Sequence, residues 1–193
     1  MALTTKLEAV NTMISVIGEA PVNTITGQTS LPITAIQAIS TLNETSRAVQ
    51  SEGWHCNTEH EYELTPDSVT SKITLPKNTL KFDLDPLLYT DSDPVQRGLK
   101  LYDRKNHTEL WTKSVKGTIT FELEFEDLPE QIRYYVTVKA ARIFANRFIG
   151  NREIEGFTLR EEVEAKARAI DSDSENADRT IFDNYSVLRV LDR

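Results

Sequence analysis

Glu122, Glu124 and Glu126 recur at every second position of the run ITFELEFED. On a strand that spacing points all three carboxylates to one face. Two carboxyl groups held roughly 5 to 9.5 Å apart are what hydrolysis of a glycosidic bond uses, so these three are the candidate catalytic residues. The same alternation, with Phe121, Leu123 and Phe125 between them, also describes a half-buried strand with a solvated acidic face, the commoner arrangement. His55, Cys56 and His60 could together offer three metal ligands. A zinc site needs a fourth ligand or an open water position, and no CxxC or HExxH accompanies them, so no metal is expected. Cys56 beside Trp54 reads as a small buried hydrophobe. No GxGxxG, P-loop or GxSxG occurs, and no cofactor is expected.

A second set of charges is basic. Arg133, Lys139, Arg142 and Arg147 fall in a stretch with no acid between Glu130 and Glu153. Together with Arg152 their helical angles are scattered, which argues against one anion pocket and for separate salt bridges to acidic runs such as 122–130 or 161–164. The lopsided charge suits contact with an acidic partner, so these four are candidate interface residues. Val187, Leu188, Val190 and Leu191 join them, because a tail this apolar needs a surface to dock on.

These residues must be positioned by one large domain or two small ones, since 193 residues are enough to bury a sizeable core without a disulfide or metal staple. No apolar run approaches the ~20 residues that span a bilayer, so no membrane partner is expected. The N-terminus lacks the charged start and continuous apolar core of a signal peptide, and Cys56 is the single cysteine; both fit synthesis in a reducing cytoplasm. The net charge of −8 argues against a phosphate-binding surface. It still permits a passage through which DNA slides without specific binding.

Leu3, Leu7, Val10, Ile14 and Ile17 predict a first helix with one apolar stripe, stopped by Gly18 and Pro21. Ser30 and Pro32 mark the start of a second, with Ile36, Ile39, Leu42 and Val49 inward and an end near Gly53. From Tyr62 the period changes to two. Val69–Ile73–Leu75, Leu80–Phe82–Leu84, Leu99–Leu101 and Ile119–Phe121–Leu123–Phe125 predict antiparallel strands, with turns at Lys105-Asn106-His107 and Lys116-Gly117. Pro129 opens a third helix that Gly150 closes. Its apolar residues form two stripes, Ile132, Val136, Ala140 and Ile143 on one side, and Tyr134, Val138, Ala141, Ala145, Phe148 and Ile149 on another, with Tyr135, Lys139, Arg142 and Asn146 between them. A helix apolar on two sides needs two partners. Thr158-Leu159-Arg160-Glu161 matches a capping box opening a last helix, whose stripe is Leu159, Val163, Ile170 and Ile181 and whose segment 171–176 is a poor helix former. The expected architecture is α+β: an antiparallel bundle of about four helices (1–58 and 127–193) with an inserted antiparallel β-sheet or sandwich domain (59–126).

Four runs carry a family resemblance: AVNTMISVIGEAPV (9–22), QSEGWHCN (50–57), YDR (102–104) and LPEQIRYYVTVKAARIFANRFIGNREIEG (128–156). In order and spacing they closely resemble the tail tubular protein A family of short-tailed bacteriophages, over nearly the whole chain. The resemblance implies a head-to-tail adaptor, or gatekeeper, of the virion. Its expected partners are further copies of itself in a dodecameric ring, the portal protein above, the nozzle (tail tubular protein B) below and a tail fibre, with DNA passing along the axis. Some members look able to degrade host polysaccharide as well, so a glycoside hydrolase is the alternative reading. Departures from the pattern concentrate in 59–126 and the tail, so no contact residue there is carried over.

Overall fold

The computed structural model describes residues 3–27, 31–84, 89–148 and 152–177, with the side chains of 152–158 excepted. The fold is α+β and divides into two compact units, one of residues 1–46 and 125–193, the other of residues 47–124. Element order is α1 (Lys6–Val16), α2 (Ile33–Gln50), β1 (Thr58–Leu64), β2 (Thr79–Leu84), β3 (Pro94–Arg97), β4 (Lys100–Asp103), β5 (Val115–Phe121), α3 (Glu130–Phe148) and α4 (Arg152–Asn176). The chain runs in the first unit through α1 and most of α2, crosses to build the strands, and returns for α3 and α4.

In the first unit, Thr5 caps α1 in a capping box: its hydroxyl accepts from the Glu8 amide, and the Glu8 carboxylate accepts from the Thr5 amide. The predicted stop holds, with Gly18 at φ +79° donating to the Ser15 carbonyl. The buried face is Ala9, Val10, Met13 and Ile14, whereas Leu3, ahead of the cap, is exposed. Pro129 precedes α3, and its carbonyl accepts from the amides of Ile132 and Arg133.

Helix α3 corrects the picture of two stripes kept apart by polar side chains. Arg133, Thr137 and Phe144 are buried along with Ile132, Tyr135, Val136, Ala140, Ala141 and Ala145, so the buried residues span about 280° and the gap between the two stripes is filled. Tyr135, placed by its period among the polar residues, is buried as well, while Tyr134 and Phe148 are exposed. The helix packs on α1 and on α4, so both partners lie within its own unit. α4 starts before Thr158 and continues through 171–176 to Asn176, so Thr158 is inside the helix rather than at its cap. Ser30, Gly150, Ile181 and the tail lie outside the described residues.

The second unit is built on a three-stranded antiparallel sheet, β1-β5-β2, and a β3-β4 hairpin. Phe82 pairs with Ile119, and both join Leu64, Ile73, Leu75, Leu84, Leu101, Trp111 and Val115 in one apolar core. Lys116-Gly117 does not turn the chain as its composition suggested; both residues lie inside the central strand β5. A Cβ at Gly117 would come 2.4 Å from the Asp83 carbonyl oxygen, so glycine is there for close approach of backbones. Val69, Ile73 and Leu75 make no strand, only bridges at Lys72 and Thr74, and Val69 is exposed. The turn at 104–107 is as predicted, with His107 at φ 54°.

Candidate functional site

The three glutamates do not share a face. β5 ends at Phe121, residues 122–124 are irregular, and Glu126 sits in a 3-10 turn. The alternation continued in sequence after the ladder had stopped, and period alone cannot show that. Glu122 pairs with Arg47 at 3.1 Å, and Glu126 accepts from the Lys6 amide at 3.4 Å. The boundary between the two units falls between Glu124 and Phe125. His55, Cys56 and Asn57 form a 3-10 turn, where Cys56 is exposed rather than buried; His60 reaches the Thr118 hydroxyl at 3.2 Å. Among the described residues no group of three His, Cys, Asp or Glu side chains could hold a metal ion.

The basic residues of α3 are met inside their own unit. Arg133 is 4% exposed, and its guanidinium donates to three main-chain carbonyls: Leu128 at 2.6 Å through Nε, Thr4 at 2.9 Å through Nη1, and Glu126 through Nη2. Glu130 completes the bracket by accepting from the Thr4 amide at 2.8 Å and from its hydroxyl. A planar five-donor fork suits three carbonyls converging from different directions, which an ammonium could not match. Lys139 donates to the Tyr135 hydroxyl at 3.2 Å. Arg142 is half-buried and pairs with Glu162 of α4, while the exposed Arg147 reaches Thr41 and Glu44 of α2 at 3.0 and 3.2 Å. The scattered helical angles had implied separate bridges. What the sequence does not announce is that Arg133 bonds to carbonyls and is buried.

Two of the resemblance motifs also resolve into internal clamps, both in the second unit. In the 50–57 run, Gln50 and Asn57 are buried amides. Gln50 donates to the Leu123 carbonyl and accepts from the Leu123 amide at 3.0 and 2.7 Å, and Asn57 donates to the carbonyls of Gln50 and Phe121. Gly53 turns the chain at φ +82° between them. In the YDR run, Arg97 lies 3.5 Å over the Tyr102 ring, and Arg104 pairs with Asp93 at 2.7 Å. Asp103 is buried and accepts from the amides of Asp93, Lys105 and Asn106 and from the Asn106 side chain. Burial pushes the Asp103 carboxyl up, but those donors outweigh it and hold it below the usual range.

What remains on the surface is the informative part. α2 buries Ala35, Ala38, Thr41, Thr45 and Ser46 beside Leu42 and Val49, and turns out Ile33, 74% exposed, and Ile36. α4 buries Ala165 and Ala169 and turns out Leu159, Val163 and Ile170, the residues its period placed in the core. On α4 the inward face is made of small residues and the large apolar side chains face away, whereas on α2 Leu42 and Val49 stay inside, Ile39 is half-buried, and Ile33 and Ile36 near its start turn outward. Beside α2 the exposed Phe148, stacked on Phe144 at 4.6 Å, edges a notch of about 340 Å³ with Gln37, Ser40 and Arg147. The second unit carries a polar cleft of about 670 Å³ on its sheet, between Thr58, His60, Thr118 and Thr120 and the lysines 81 and 116; none of the three glutamates lines it.

Helices that turn their large apolar residues outward on more than one side define a protein built to be part of an assembly. The family model for tail tubular proteins matches residues 7–179. The chain belongs to the tail tubular protein family and is a structural component of a phage tail. No curated protein matches it. Among the described residues, no helix is long and apolar enough to cross a membrane.

Proposed function

We infer that the chain is a head-to-tail adaptor, one protomer of a ring, a dodecamer in the virion, that joins the portal protein to the nozzle and surrounds the DNA exit channel. The observation that carries this is the pair of unlike apolar surfaces on the helical unit: Ile33, Ile36 and Phe148 on α2 and α3, and Leu159, Val163 and Ile170 on α4. A ring is a heterologous closed assembly in which one surface of each protomer meets a different surface of the next, so each protomer needs two that do not match. The net charge of −8 suits a channel wall that DNA must pass without sticking. The tail residues Val187, Leu188, Val190 and Leu191 and the exposed Arg147 add contacts to neighbours or portal, and the β unit, 59–126, faces the nozzle and a tail fibre. The protein is made in the host cytoplasm and acts in the virion.

The glycoside-hydrolase alternative gains nothing from the alternation of Glu122, Glu124 and Glu126, since β5 ends at Phe121 and Glu126 lies in a 3-10 turn. Imaging the purified chain mixed with its portal protein tests the adaptor reading. A ring seated on the portal is the expected result; a portal that stays bare while the chain assembles elsewhere in the tail refutes it.

A further inference from the structure

The outward stripe of α4 is close to the end of the described chain. At 100° per residue Leu159, Val163 and Ile170 fall within about 40° of arc, and the stripe is about 16 Å long. Ala165 and Ala169 face the opposite partner, α3. The helix ends at Asn176, only two turns beyond Ile170, and residues 178–193 follow it. Extended, that segment could reach roughly 50 Å, far more than is needed to double back over the stripe. Five of the seven residues from Tyr185 to Leu191 are large and apolar, and they leave water only if something covers them.

The geometry points to the segment Tyr185–Leu191 of the same chain as the cover of the α4 stripe. Two considerations select this occupant over a second copy for the free protein. The connection, residues 178–184, is short, so the tail is present at the stripe at an effective concentration in the millimolar range. Each partner is apolar and has its own need of cover. A stripe closed by its own tail withholds one of the two sticky surfaces from other copies. Where assembly takes place, a neighbour's surface then replaces the tail.

The inference goes beyond the adaptor reading, and its test uses the isolated full chain without portal. In a Cys56→Ser background, Val163→Cys is combined with Leu188→Cys and the protein is oxidised mildly at low concentration. The expected product is a disulfide within one chain, a monomer that migrates faster without reductant and that neither single variant forms. Disulfide-linked dimers mean that a second copy holds the stripe and overturn the inference, as does the absence of any bond. The second measurement is amide exchange over 159–170 in full-length Leu188→Asp with Leu191→Asp. Protection of those amides is lost while α1 and the sheet keep theirs; exchange unchanged from wild type rules the docking out.

Discussion

Arg133 separates two accounts of the basic residues on α3, as contacts for a partner or as parts of the protomer's own frame. Replacing it with methionine keeps the length and apolar stem but removes every donor and the charge, so no unpaired charge is left buried. Three carbonyls then lose their donor, those of Leu128, Thr4 and Glu126. Hydrogen bonds from a charged donor contribute about 1.5–3 kcal/mol each. The bonds to Thr4 and Glu126 are only partly buried, so water recovers some of that loss. The bonds also share one side chain and do not add, which leaves an expected destabilisation of about 3–5 kcal/mol. For a chain of this size that is roughly 10 °C in the unfolding midpoint. Thermal and urea unfolding followed by circular dichroism at 222 nm reads it directly. Arg133→Lys keeps the charge but loses the fork, and falls between the two. Should Arg133→Met unfold where the wild type does and yet fail to join the portal, the side chain faces a partner and the reasoning from its three carbonyls is wrong.

Gly117→Ala puts a Cβ 2.4 Å from the Asp83 carbonyl oxygen and 2.8 Å from the Phe82 ring. Overpacking of that kind costs about 1–3 kcal/mol or more, visible as a lower urea midpoint; an unchanged midpoint means β2 and β5 have room to part. Asp103 is held below its usual pKa, so the stability it contributes is fully present above the unfolded value of about 3.9 and is lost as pH falls through the lower folded value. Glu109, whose carboxyl the hydrogen bond and charge of Lys72 lower, acts in the same direction. Urea midpoints measured from pH 6 down to 3 therefore fall at the acid end, and Asp103→Asn, less stable at neutral pH, shows a shallower fall. Arg147→Ala removes an exposed pair with Glu44 and should change stability by less than about 1 kcal/mol. Ile33→Asp leaves the unfolding midpoint within about 0.5 kcal/mol of wild type, because the side chain is 74% exposed, while blocking ring formation on the portal.

Periodicity found the helices because it depends on local spacing, and it found β2, β4 and β5 for the same reason. It failed where a pattern outlasts its cause. The alternation of Phe and Glu runs on to Glu126, but the ladder that would give it meaning stops at Phe121, and only the partner strands set that limit. Gly117 has the composition of a turn and the place of a close contact, a difference carried by Asp83 and Phe82, 34 and 35 residues away in sequence.

The outward stripe of α4 has another origin; on α2 the period placed Leu42 and Val49 inside correctly and missed at Ile36. A stripe of large apolar residues is the usual sign of the core side, and Leu159, Val163 and Ile170 form as regular a stripe as any in this chain. About 120° around the same helix run Ala165 and Ala169, whose small side chains let α3 approach closely and which count little in any apolar period. On α2 Ala35 and Ala38 share the buried face with Leu42 and Val49, and the outward Ile33 and Ile36 are confined to the first turn. An isolated domain has no reason to keep its small residues inside and its large ones out, since exposed Leu, Val and Ile forfeit burial worth roughly 1.5–3 kcal/mol each. Leu159, Val163 and Ile170 recover that burial only where something else covers them. On α3, by contrast, most of both stripes is buried within the unit, and Tyr134 and Phe148 are the large apolar residues it leaves exposed. Leu159, Val163 and Ile170 of α4, with Ile33, Ile36 and Phe148, are therefore the surfaces that the adaptor reading assigns to partners.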